Sequence, residues 1–151
     1  MDDSSVEVQE IVLGSACAAL RALESRKPAG ERLLFDPYAE GFTIPEAWQR
    51  AEEIMREWPG VELLSCLRTL YMDDYLRERA RQGIQQVVIL GAGFDSRALR
   101  LEELRAGARV FELDLPSLVA FKQGRLRERE GSLPSHVSYI GADLAQDSLE
   151  E

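Results

Sequence analysis

The first half of the chain has the hydrophobic spacing of helices. Apolar side chains recur every three or four residues over 6–24, 45–58 and 61–82, which predicts three amphipathic helices. Pro45 opens the second segment and Gly83 follows the third, as is common at the two ends of a helix. Between the first two, Asp36 followed by proline predicts the capped start of a short helix. The predicted core-facing stripe of the third helix consists of Leu63, Leu64, Leu67, Leu70, Tyr71 and Leu76.

The second half changes to alternating strand and helix patterns. Apolar runs at 87–90, 109–114 and 137–140 predict three strands, with helices predicted at 96–104 and 116–130 between them. The first run is continuous and β-branched, which predicts a strand buried on both faces. The order β-α-β-α-β with short connections predicts an α/β fold with a parallel, doubly wound, Rossmann-like sheet. Residues 1–84 are then a helical cap, and residues 85–151 a sheet domain of about three strands.

Composition narrows the possible functions. The chain has 18 Lys and Arg against 27 Asp and Glu, a net charge of −9, whereas nucleic-acid binding usually needs a basic face. No apolar run is long enough to span a membrane, and the acidic start lacks the features of a signal peptide. The single histidine, His136, argues against zinc sites and is predicted to lie at the surface. Cys17 and Cys66 fall in apolar helical patterns and predict buried thiols in a reducing compartment, which indicates a cytoplasmic protein.

The segment with the most chemical information lies between the first two predicted strands. The first strand leads into Gly91-Ala92-Gly93, where glycine permits a tight turn and close approach of a ligand. Asp114 ends the next strand, 21 positions after Gly93. In α/β sheets ligands bind at the carboxyl ends of strands, and an acid at this position accepts hydrogen bonds from ribose hydroxyls. The arrangement therefore predicts a nucleoside ligand.

Two cofactors remain open on these residues. A dinucleotide site prefers glycine or alanine at position 96, and Ser96 is small enough to leave NAD possible. Against NAD, Asp95 places a carboxylate where a pyrophosphate would bind, and the two negative charges would repel. S-Adenosylmethionine carries a sulfonium and no phosphate, so the acidic loop favours it.

The same segment is similar to the signature of a known family. Residues 87–101, Val-Val-Ile-Leu-Gly-Ala-Gly-Phe-Asp-Ser-Arg-Ala-Leu-Arg-Leu, resemble the leucine carboxyl methyltransferase family, which includes bacterial O-methyltransferases acting on small carboxylic acids and polyketides. Further elements match it in order: Arg21-Ala22, Asp36-Pro37-Tyr38-Ala39, Arg68-Thr69, Asp73-Asp74, residues 110–116, Phe121-Lys122 and Asp143-Leu144.

This resemblance implies a cofactor, S-adenosyl-L-methionine, and a set of residues that hold it. Arg68 matches the arginine that pairs with the methionine carboxylate, for which a guanidinium fork is well suited. Gly91 and Gly93 match the loop under the cofactor, and Asp114 matches the acid that binds the ribose. Asp143 and Leu144 match the pair that frames the adenine. The implied reaction is methyl transfer to a carboxylate or hydroxyl oxygen of a small molecule or peptide, with no residue assigned as catalytic.

Two residues of the signature point to a structural role instead. Asp95 and Arg97 are predicted to act inside the protein, with Arg97 pairing a carboxylate of the cap such as Asp36 and so locking the cap to the sheet.

The chain also departs from the family. The family's domain has a seven-stranded sheet, and the strand that normally flanks the glycine-loop strand, with its terminal acid, is missing here. An unpaired apolar strand is a template for association, so we expect a homo-oligomer or a partner chain that covers it. A truncated, non-catalytic cofactor-binding or interaction module is therefore the alternative function, and an NAD-dependent oxidoreductase is a third.

Overall fold

The computed structural model describes residues 3–148 and has the predicted α/β class. Three helices precede the sheet, and a 3-10 turn at Glu40–Phe42 stands where a short helix was predicted. The helices are α1 (Asp3–Arg26), α2 (Pro45–Glu57), α3 (Val61–Arg81), α4 (Arg97–Arg100), α5 (Glu102–Gly107) and α6 (Pro116–Glu130). The strands are β1 (Gln86–Leu90), β2 (Arg109–Asp114) and β3 (Val137–Gly141).

The helix predicted over 96–104 is interrupted. Leu101 has an extended backbone between α4 and α5, and its side chain is buried. Leu104 of α5 packs in the same apolar cluster, together with Val110 of β2. The break therefore turns two leucines of one continuous sequence pattern toward the same core.

The sheet is parallel with the order β1-β2-β3, and helices cover one of its faces in the described residues. Val87 and Ile89 of β1 pack under α3 and α5, and Lys122 of α6 contacts Glu112 on the same side. Successive right-handed crossovers in one direction place their helices on one side of the sheet, as these three strands show.

Strand β1 was expected to be buried on both faces, and that expectation is wrong. It is an edge strand, and its outward-facing Val88 and Leu90 are 59% and 54% exposed. The apolar run nevertheless predicted the strand itself correctly. What the run could not indicate is that one face and one edge have no covering element among the described residues.

Helix α3 also buries a different face from the predicted one. Most of the predicted apolar stripe is exposed, including Leu64 and Tyr71. The buried side chains are Cys66, Thr69, Asp73 and Leu76. Asp73 is buried because two arginines of α4 pair with it, and this ion-paired contact orients the helix against its hydrophobic pattern.

The cap and the sheet domain pack together. The predicted boundary at residue 84 lies in the turn between α3 and β1, while α1 contacts α6 and α3 contacts α5 across it. The division into two domains stays a prediction. Because the cap packs against the sheet domain, α1 and α3 both reach the carboxyl end of β1.

Candidate functional site

A cavity of about 350 Å³ lies at the carboxyl ends of β1 and β2. Its walls come from α1, α3, the loop after β1, α4 and the beginning of α6. The residues that line it include Arg21, Arg68, Gly91, Gly93, Asp95 and Asp114. Ligand sites in α/β proteins lie at this end of the sheet, and the volume is within the usual range for small-molecule pockets.

The floor of the cavity is the glycine loop. Gly91 and Gly93 have φ of 62° and 43°, a conformation that side-chain-bearing residues rarely adopt. The backbone N–H of Gly93 donates to Oδ2 of Asp114 at 2.5 Å, and Ala92 N–H donates to the carbonyl of Leu113 at 3.0 Å. The loop is thus fastened to the end of β2, with open space above Gly91.

Asp114 joins the loop to the second strand. Its Oδ1 accepts from the backbone of Leu115 at 2.7 Å, while Oδ2 accepts from Gly93. Each carboxylate oxygen has two acceptor sites, so one remains on each oxygen for a ligand in the cavity. The side chain is half-buried, which leaves these acceptor sites within reach of the cavity.

Arg68 faces this loop from α3. Its side chain is exposed, lines the cavity and, among residues 3–148, has no hydrogen bond or ion pair with protein. Neighbouring Thr69 is buried and donates to the carbonyl of Ser65 at 2.8 Å, within the helix. The guanidinium of Arg68 is therefore available to bind an anionic group of a ligand.

Asp143 and Leu144 do not line the cavity. They follow β3, whose end is bonded to β2 through Ala142 N–H and the carbonyl of Asp114 at 2.8 Å. The Asp143 carboxylate accepts from the backbone of Ala145 at 3.0 Å and from Nε2 of Gln146 at 2.6 Å. The structure brings four of the six predicted residues together, and the ligand roles of all six stay predictions.

A polar network behind the loop was only partly foreseen. Arg21 of α1 donates through Nη2 to the carbonyl of Phe94 at 2.7 Å and through Nε to Oδ2 of Asp36 at 2.9 Å. Ser96 donates to the same Asp36 oxygen at 2.6 Å. Arg21 and Asp36 both belong to the motifs of the resemblance, but the spacing of the sequence did not show that they meet.

Arg97 does not pair with Asp36, so the predicted partner of this arginine is wrong. Nε of Arg97 donates to Oδ1 of Asp73 at 3.0 Å, and Nη1 contacts the carboxylate of Asp95. Asp36 is already occupied by Arg21 and Ser96, which are closer to it in the fold. Arg97 still pairs a carboxylate of the cap, as predicted, but this carboxylate is on α3.

Asp36 remains ionised although it is buried. Burial by itself raises the pKa of Asp36, but the Arg21 charge, the hydrogen bonds from Ser96 and Arg21 and the Arg100 charge together hold it below the ordinary value. The two backbone N–H groups of Tyr38 and Ala39 donate to its other oxygen at 3.0 and 3.2 Å. The carboxylate thus caps the following turn while it supports Arg21.

A buried ion pair supports the loop from below. Nζ of Lys122 donates to Oε2 of Glu112 at 2.5 Å and to the carbonyl of Asp95 at 2.6 Å. Burial raises the pKa of Glu112 against the opposing effect of Lys122. Lys122 belongs to the matched motifs, and its position on α6 gave no signal that it reaches the loop.

The two cysteines differ. Cys66 is buried as predicted, and burial raises the pKa of its thiol to about 11. Cys17 is exposed and lines the cavity, so the prediction of a buried thiol is wrong for this residue. The apolar pattern of α1 continues through position 17 although that side of the helix faces the cavity.

His136 is partly buried rather than a free surface side chain. Its Nε2 lies 2.8 Å from the carbonyl of Ala98 and so forms a hydrogen bond to α4. Within residues 3–148 no cluster of His, Cys, Asp or Glu could hold a metal ion, and no helix is long and apolar enough to cross a membrane.

Comparison with known proteins gives a consistent result. The family model for leucine carboxyl methyltransferase matches residues 15–151. A relative from Frankia alni is 40% identical over 134 residues, and one from Mycolicibacterium smegmatis is 43% identical over 141 residues. A third, from Mycobacterium tuberculosis, is 37% identical over 141 residues. All three carry the name "Putative S-adenosyl-L-methionine-dependent methyltransferase".

The matches cover most of this chain but only part of each relative. They include 86% of the chain, against 47% of the Frankia protein and 46% of each of the other two. The chain therefore spans about half the length of the curated relatives it matches.

Proposed function

The chain belongs to the leucine carboxyl methyltransferase family, and on this premise we propose that it binds S-adenosyl-L-methionine in the cavity above the glycine loop. The proposed activity is methyl transfer to an oxygen of a small carboxylate or hydroxyl compound, or of a peptide C-terminus. When bound, the cofactor would supply an electrophilic methyl group on a sulfonium. The protein would supply binding, orientation and exclusion of water.

One observation carries this proposal. The Arg68 guanidinium, which has no partner among the described residues, lines the same cavity as the glycine loop and a strand-end carboxylate, although the three are separated along the chain. Arg68 is suited to the carboxylate of the methionine moiety, and Asp114 to the ribose hydroxyls. Asp95 and Asp114 place two carboxylates at the glycine loop, while Arg21, Arg68, Arg97 and Arg100 also line the cavity, so the charge of the lining does not distinguish a sulfonium from a pyrophosphate.

The acceptor is proposed from the chemistry of the reaction. A carboxylate is ionised at neutral pH and needs no general base, whereas an alcohol or phenol would need one. A carboxylate, which needs no base, is therefore the acceptor that we propose.

A second function is favoured by a specific observation. Among residues 3–148 no strand pairs with the outer edge of β1, and one face of the sheet exposes Val88 and Leu90. A chain with an incomplete sheet can bind the cofactor without performing transfer, as a binding or interaction module. This alternative shares the cofactor site and differs in turnover.

We also propose a cytoplasmic location, because the use of free thiols indicates a reducing compartment.

The test is calorimetric titration of the chain with S-adenosylhomocysteine, the product form of the cofactor, and with NADH. We expect micromolar binding of S-adenosylhomocysteine and no binding of NADH. Arg68→Ala is expected to weaken it about tenfold or more, because a charged hydrogen-bond pair is lost. Arg77→Ala is the control, because Arg77 is a half-buried arginine of α3 that does not line the cavity and, among the described residues, is ion-paired only with Asp74. NADH binding without S-adenosylhomocysteine binding would favour the oxidoreductase.

The free edge also leads to a proposal about assembly. Unpaired strand edges with apolar side chains associate readily, so we propose that another polypeptide, a second copy when the chain is alone, covers β1. Sedimentation of the purified chain is expected to show an oligomer, and Val88→Lys is expected to shift it toward monomer. A monodisperse monomer of the unmodified chain would contradict this proposal.

A further inference from the structure

Asp73 is a buried carboxylate on α3 that does not line the cavity. It is 2% exposed. Its Oδ1 accepts from Nε of Arg97 at 3.0 Å and from Nη2 of Arg100 at 2.8 Å, and its Oδ2 accepts from Nη1 of Arg100. Arg100 thus pairs with it through two parallel hydrogen bonds, a strong and geometrically selective contact.

The two arginines connect Asp73 to the glycine loop. Arg97 contacts the carboxylate of Asp95, which belongs to that loop. Nε of Arg100 donates to Oγ of Ser96 at 3.0 Å. Both arginines also line the cavity. Asp73 is therefore the ion-paired contact between α3 and the segment that begins α4.

The same helix carries Arg68. Thr69 and Asp73 are one turn apart and are both buried, so the attachment through Asp73 also fixes the rotation of Arg68 about the helix axis. The opposite side of α3 exposes Leu64 and Tyr71, while on the buried side Leu76 packs in the apolar cluster that includes Ala98. A change at Asp73 would thus shift Arg68 relative to Asp114, which the glycine loop holds.

We infer that Asp73 is a positioning residue for the amino-acid end of the cofactor: by pairing Arg97 and Arg100 it holds α3 so that Arg68 and Asp114 face one ligand. The inference rests on the proposed function and deepens it. It implies that Asp73 affects recognition of the carboxylate tail and not recognition of the adenosine.

The experiment compares two ligands with four variants. S-Adenosylhomocysteine has the carboxylate tail, and 5′-methylthioadenosine lacks it. The variants are Asp73→Asn, Arg68→Ala, their combination, and Asp74→Asn as the matched control, since Asp74 is exposed and pairs only with Arg77 among the described residues. Calorimetry measures both affinities, and circular dichroism with thermal unfolding shows that each variant is folded.

We expect Asp73→Asn to lower the affinity for S-adenosylhomocysteine about tenfold or more. The affinity for 5′-methylthioadenosine should fall less than about threefold. The double variant should be no weaker than Arg68→Ala, because the two residues act through one contact. Asp74→Asn should match the unmodified chain. Equal losses for both ligands, or additive losses in the double variant, would overturn the inference and leave a merely structural role.

If Asp73→Asn does not fold, a second variant at the same position tests the inference. Asp73→Glu keeps the charge between the two arginines but adds a methylene to a packed site, which displaces α3. It is expected to weaken S-adenosylhomocysteine selectively, and an unchanged affinity would overturn the inference. If the unmodified chain binds neither ligand, the proposed function fails. If Arg68→Ala loses binding while the Asp73 variants do not, only the inference fails.

Discussion

Replacing Asp114 with alanine is expected to lower the affinity for S-adenosylhomocysteine by about a hundredfold or more, since the two charged hydrogen bonds that we propose it makes to the ribose would be lost. The loop is affected as well, because Oδ2 of Asp114 accepts from the backbone of Gly93 and Oδ1 from Leu115. Calorimetric titration of the two proteins measures the difference.

The ribose contribution can be separated from support of the loop. Asp114→Asn retains an acceptor oxygen for one backbone N–H and loses the charge, so its loop should be less disturbed. An analogue of S-adenosylhomocysteine without the ribose 2′-hydroxyl should bind the unmodified chain more weakly than S-adenosylhomocysteine does. The alanine variant should bind the two ligands with the same affinity. An alanine variant that binds within about threefold of the unmodified chain would remove Asp114 from the site.

Replacing Asp36 with alanine is expected to destabilise the protein by about 3–5 kcal/mol, because it leaves a buried guanidinium without its counter-charge. The Asp36 side chain is fully buried and Arg21 is 11% exposed. Ser96 and the backbone of Tyr38 also lose their acceptor. Urea unfolding followed by circular dichroism gives the free energy of unfolding.

Glu40→Gln is the control for this variant. Glu40 pairs with Arg26 at 2.6 Å, and both side chains are exposed, so its loss should cost no more than about 1 kcal/mol. Equal costs for the Asp36 and Glu40 variants would show that the buried pair contributes no more than a surface one.

The Asp36 contribution should also depend on pH. The pKa of this carboxyl is lowered in the folded state from its ordinary value of 3.8, so folding favours the ionised form. Its stabilisation is complete above the pKa of the unfolded chain and is lost as the pH falls through the lowered folded value. The difference in unfolding free energy between the unmodified chain and Asp36→Ala should therefore be constant near neutral pH and narrow below about pH 4.

The elements of this fold were largely predictable from neighbouring residues. Helix α6 and strand β2 begin and end where their patterns predicted, because proline, glycine and β-branched residues act locally. The division of one predicted helix at Leu101 was not predictable, since it depends on a core formed with β2 and α3.

The candidate site, too, was predictable only where it depends on residues close together in the chain or on a known motif. Gly91, Gly93 and Asp114 were identified from a strand, a turn and a second strand in the expected order, and Arg68 from its motif. The network of Arg21, Asp36, Ser96, Asp73 and Arg100 was not, because its members come from four separate segments and have partners far along the chain.

The sequence by itself determined the class of fold, the order of its elements and the loop with its acid, since each depends on residues close together in the chain. Tertiary structure decided which carboxylate Arg97 pairs with, which face of α3 is buried and that one face of β1 has no covering helix among the described residues. The sequence contains several carboxylates that could pair with one guanidinium, and only the packing of the helices determines which of them lies next to it. A hydrophobic pattern, likewise, indicates that a face can be buried but not which element covers it.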